Sequence, residues 1–199
     1  MFDWLKNINK DYPEFWKDYL SKFDAKPQRV VVFTTHVSGH NPVKDVIFSF
    51  GAIAIVNDKI ILGDTFETVI VQYKYLHDNG LPNDFLAKST LEKRTESQAL
   101  EALVNYIGNS TLVGYKTHLD VDMINVALEK IFCGRLRNEA LDVELMHRKM
   151  NDWNEKTGSL EELFKSYKVA VPDTSSSLEN AYNLALIYLK LKSKLGIKT

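Results

Sequence analysis

The sequence predicts an α/β domain, a mixed five-stranded sheet flanked by helices, with an N-terminal helical extension. Three apolar strand-like segments crowd the stretch from residue 30 to residue 71. Beyond residue 95 the apolar residues take up the 3.6-residue helical spacing, and two short apolar segments, near residues 111–114 and 140–143, are interleaved with it. A strand meander followed by alternating helices and strands buries its apolar faces only if helices cover the sheet.

Taking the elements in order, Trp4, Leu5, Ile8, Tyr12, Phe15, Trp16, Tyr19, Leu20 and Phe23 close on one helical face. Pro13 suits the start of a second helix, so residues 1–27 read as a helical pair set apart from a main domain over 28–199. Strands are expected at 30–34, 47–56 and 59–71, the last two joined through Asn57-Asp58, a pair suited to a tight hairpin. A polar loop with Gly80, Pro82 and Asn83 follows. Thr95 and Gln98 then form a capping-box pattern ahead of Ala99, Leu100, Leu103 and Ile107.

Thr111 to Gly114 reads as a buried strand, and Asp120 opens a helix with Met123, Ile124, Ala127 and Leu128 inward, stopped around Gly134. Ala140 to Val143 is the fifth strand. Two helices end the chain, one set by Ser159 and Glu162 and one from about Ser177 to Leu195.

With 199 residues, 45% hydrophobic and 26% charged, the chain can bury a substantial core, which excludes disordered and fibrous classes. A formal charge of −1 gives no long-range attraction to nucleic acid, so any such binding depends on a local basic surface. The single Cys133 cannot make a disulfide within the chain or a structural zinc cluster. With neither a membrane-spanning run nor a leader-like start in the sequence, a cytoplasmic setting and no membrane contact are expected.

Three segments carry a resemblance. The first is Val30-Val31-Val32-Phe33-Thr34-Thr35-His36-Val37-Ser38-Gly39. The second runs from Leu112 through Val113-Gly114-Tyr115-Lys116-Thr117-His118-Leu119-Asp120 to Asn125. The third is Val171-Pro172-Asp173-Thr174-Ser175-Ser176-Ser177-Leu178-Glu179-Asn180-Ala181. In order and spacing they are similar to the motifs of the DEDD (DnaQ-like) 3′–5′ exonucleases, the family of the proofreading epsilon subunit of DNA polymerase III.

The resemblance implies a ribonuclease H-like sheet over roughly residues 29–192. It also implies four metal-binding acids and a histidine base. At those places this sequence has Thr34, His36, Asp120 and Asn180, with Ser175 for the histidine, so Asp120 is the only retained acid.

Two-metal phosphodiester hydrolysis holds its cations about 3.5–4 Å apart, and several carboxylates must offset their mutual repulsion. Magnesium in addition asks for hard oxygen ligands in near-octahedral order. One carboxylate falls well short, and Ser175 has no group that titrates near neutrality. Neighbouring acids do not fill the gap, because Glu179 lies about 100° around its helix from Asn180 and Asp122 faces away from Asp120. The expectation is therefore an exonuclease-like chain without its chemistry, needing no cofactor and acting by binding nucleic acid or a protein.

The alternatives are an active exonuclease with an atypical magnesium or manganese site, and a pure interaction module. A different metal, zinc or nickel, would have to draw on Asp120 and His36, with His118 or His40. Lys116 and Arg148 are the candidate phosphate contacts for a single-stranded 3′ end. A basic run at His147-Arg148-Lys149 reads first as a solvated helix face. Asp142 reads as a strand-end carboxylate bonding loop amides. The amphipathic N-terminal helices read as a cap on their own domain, with a partner groove or self-association as the other choice.

Overall fold

A computed structural model describes residues 11–71, 91–152, 158–172 and 176–197. Helix α1 (Glu14–Ser21) runs into a short 3-10 turn (Lys22–Asp24). Next come strands β1 (Val30–Val37), β2 (Ile47–Val56) and β3 (Lys59–Ile70), and a two-residue β4 (Lys93–Arg94). The chain goes on through α2 (Glu96–Ile107), β5 (Thr111–Gly114), α3 (Thr117–Lys130) and β6 (Ala140–Asp142). Helices α4 (Val143–Met150), α5 (Leu160–Ser166) and α6 (Ser177–Leu195) follow.

The strands form one mixed sheet in the order β4-β3-β2-β1-β5-β6. β1 to β3 are antiparallel, while β5 joins β1 and β6 joins β5 in parallel. The sheet has six strands against the expected five, because β4 adds a parallel pairing at Val69 and Ile70 that its charged residues do not announce. The hairpin at Asn57 and Asp58 forms as expected, both residues having positive φ (50° and 59°), as a type I′ turn requires.

Alternation along β1 divides the core. Val31 and Phe33 pack with Trp16, Tyr19, Leu100, Leu103 and Ile124 under α1, α2 and α3. Val30 and Val32 pack with Leu163, Phe164, Leu184 and Tyr188 under α5 and α6. β2 is buried on both faces, which is why its sequence reads as an unbroken apolar run.

Helix α1 is built into the first core, with Trp16 and Tyr19 fully buried. The Tyr19 hydroxyl accepts from the Arg137 amide at 2.7 Å and donates to Asn138 at 2.7 Å. Trp4 and the rest of residues 1–10 lie outside the described residues, as does the loop with Gly80, Pro82 and Asn83.

Three expectations need correcting. Helix α3 starts at Thr117 rather than Asp120, because the Asp142 carboxylate receives the Lys116 and Thr117 amides and pins the helix start there. An additional helix, α4, follows β6 directly, with Asp142 as its N-cap. On it His147 is buried rather than solvated, its Nδ1 2.9 Å from the Tyr167 hydroxyl, because its side of α4 packs into the helical layer.

Candidate functional site

β1 has antiparallel β2 on one side and parallel β5 on the other, a switch point where α/β sheets open a crevice beyond the carboxyl ends of their strands. Here that crevice is a cavity of about 280 Å³. Thr34, Thr35, His40, Lys116, Asp120 and Ser159 are among its lining residues.

One wall is α3. Asp120 lies in its first turn, 9% exposed, and its Oδ1 accepts a hydrogen bond of 2.6 Å from the Thr35 hydroxyl. Burial pushes the Asp120 carboxyl up to about 7; the field of Asp142 adds to the rise and the Thr35 hydroxyl opposes it. Asp142 stays at the base of this wall, its oxygens taking the amides of Lys116, Thr117 and Glu144 at 3.1, 3.0 and 2.9 Å. Its role is to cap the starts of two helices. Lys116 has φ 51°, an uncommon conformation for a side-chain-bearing residue, and its amide bond to Asp142 helps to hold it there. Its ammonium lies 5.2 Å from the Tyr115 ring centre and donates to the Gly158 carbonyl.

The cleft is also lined by Gly158 to Glu161, at the start of α5, while the start of α6 does not line it but packs against Thr34. The Thr34 hydroxyl donates to the Ser177 carbonyl at 2.7 Å, and the Ser49 and Ser177 hydroxyls are 2.6 Å apart. Glu67 Oε1 accepts from the Ser176 hydroxyl at 2.9 Å and the Leu178 amide at 3.1 Å. A carboxylate at a helix N-terminus meets both the free amides and the positive end of the helix dipole. Gly51 lets the helix come this close, since a Cβ there would lie 2.1 Å from the Ser177 carbonyl carbon.

Of the expected site residues, Thr34, Asp120 and Lys116 share the cleft, while His36, Asn180 and Arg148 do not line it. His36 is half-buried, its ring edge-on to Phe48. Arg148 is partly buried on α4, with its Nε enclosed. His118 is exposed, 3.8 Å from Asp142, and His40 is exposed at the cleft. Ser175 lies outside the described residues.

Among the described residues, no group of three or more His, Cys, Asp or Glu side chains is placed to hold a metal ion. The Thr34 hydroxyl points its proton at a carbonyl, and Asp120 is the one carboxylate among the four places that the resemblance assigns to metal ligands.

Sequence reasoning missed Thr35, Ser49 and Glu67. Thr35 had a signal, since alternation along β1 sets it opposite Thr34 and His36, on the face where α3 packs. Glu67 had none, because only the β2–β3 register places it beside Gly51.

This is the ribonuclease H-like fold of the 3′–5′ exonucleases. No family model matches the chain. It is 26% identical over 182 residues to the DNA polymerase III subunit epsilon of Buchnera aphidicola, covering 81% of this chain and 72% of that one. Exonuclease I bound to the inhibitor BCBP superposes with a TM-score of 0.65 at 14% identity, over 86% of this chain. The zinc-bound E. coli exonuclease I complex with single-stranded DNA gives 0.64 at 12%, again over 86%. The chain spans only 42% of either exonuclease I chain, and at such identities the likeness is one of fold.

Proposed function

We propose that this chain is a catalytically degenerate relative of the epsilon-type exonucleases that binds single-stranded nucleic acid at the Asp120 cleft and does not cut it. One observation carries the reading. Asp120 is the only acid at the four places, beside Thr34, His36 and Asn180, and it is buried and bonded to Thr35. One carboxylate among four places supplies too little negative charge to hold a pair of divalent cations. No resident magnesium or manganese pair is part of the function.

Binding is supported by the exonuclease I structure in complex with single-stranded DNA and by the cleft rim. Lys116 offers a cation for phosphate and Tyr115 an aromatic face for a base. A protein partner gripped by α1 is less well supported, because Trp16 and Tyr19 are committed to the domain's own core.

The test is a nuclease assay across a magnesium and manganese titration, run beside binding measurements on single-stranded oligonucleotides. Salt-sensitive binding without mononucleotide release is expected, weakened several-fold by Lys116→Ala. Metal-dependent release of 3′ nucleotides that disappears in Asp120→Ala would overturn the proposal and establish an active enzyme with an atypical site.

A further inference from the structure

Four observations converge on the first turn of α6. Thr34 donates to the Ser177 carbonyl, Ser49 meets the Ser177 hydroxyl, Glu67 takes the Ser176 hydroxyl and the Leu178 amide, and Gly51 leaves no space beneath Ser177. Each comes from a different position on β1, β2 or β3. Together they press the start of α6 onto the sheet at the place where the resemblance expects the first metal-binding acid.

We propose that this contact is a latch built over the former metal place, so that putting the missing acids back does not rebuild a two-metal site. The inference rests on the degenerate reading above and deepens it. Thr34 is buried and serves as a donor to a carbonyl. An ionised carboxylate at position 34 has no proton to give, so it would face the Ser177 carbonyl oxygen as a second acceptor. To accept a metal there, the start of α6 must lift, and that separates Glu67 from Ser176 and Leu178 as well. The loss of activity is then held by the packing of α6 and not only by the identity of three side chains.

The matched pair Thr34→Asp and Thr34→Asn tests the latch directly. The two replacements have nearly the same shape, but only the amide can donate to Ser177. At pH 8 the aspartate variant is expected to melt ~5 °C or more below the asparagine variant. Equal melting temperatures would overturn the latch.

The triple variant Thr34→Asp, His36→Glu, Asn180→Asp is then titrated with manganese and followed by electron paramagnetic resonance. Fewer than two bound ions per chain is expected. Two tightly bound ions in a variant as stable as the wild type would also overturn it. If the triple variant does not fold, the matched pair still decides. The two proposals fail separately: nuclease activity in the wild type removes the degenerate reading, whereas activity gained only by the triple variant leaves that reading standing and removes the latch.

Discussion

The two helix starts that meet β1, those of α3 and α6, solve opposite problems with similar means. At the start of α3 the Asp120 carboxyl is buried, and the Thr35 hydroxyl together with a raised pKa accommodates it. At the start of α6 the carboxylate, Glu67, comes from a strand outside the expected set, and its negative charge is answered by a hydroxyl and an amide at a helix N-terminus. A buried acid is tolerable in two ways, by remaining neutral or by finding donors. The first leaves a fold-inherited residue under tension, and the second turns an acid into structural support.

Perturbing each helix start breaks or sharpens this contrast. The largest effect is expected from Gly51→Ala, which drives a methyl group into the Ser177 backbone; a loss of ~3 kcal/mol or more should appear in urea unfolding. A mild change would mean that α6 shifts easily and that its seat on the sheet is not rigid. Glu67→Ala removes two hydrogen bonds to a charged acceptor and frees the helix start, with an expected cost of about 2 kcal/mol by the same measurement.

Asp120→Asn should do the reverse. A carboxyl that ionises near 7 when folded and near its ordinary value of ~3.9 when unfolded binds more protons in the folded chain across that window. Stability of the wild type therefore falls as pH rises from ~4 to ~7, and the asparagine variant is spared that loss. Thermal melts from pH 5 to pH 8 should show the variant gaining on the wild type by ~1 kcal/mol or more at the upper end. A difference that does not change with pH would show that Asp120 is not under electrostatic tension. Ser49→Ala is the smallest perturbation, the loss of one neutral hydrogen bond, at ~1 kcal/mol or less.

A different lesson comes from α1. Its aromatic residues are types enriched at interface anchors, and their spacing alone suits a partner groove as well as a core. The deciding contacts are the Tyr19 hydroxyl on Arg137 and Asn138 and the burial of Trp16, which involve residues more than a hundred positions away. His147 illustrates the same limit, since a basic run at a helix end says nothing of Tyr167 waiting behind it.

The sequence by itself determined the mixed sheet, the Asn57-Asp58 hairpin, the Thr95 capping box and the poverty of acids at the metal places, because each depends on periodicity, local turn chemistry or side-chain identity. Tertiary structure alone decided that Glu67 holds α6 and that the start of α6 lies on Gly51. Those outcomes depend on strand register and helix placement, where distances of an ångström or less determine which donor meets which acceptor, and one-dimensional spacing does not encode them.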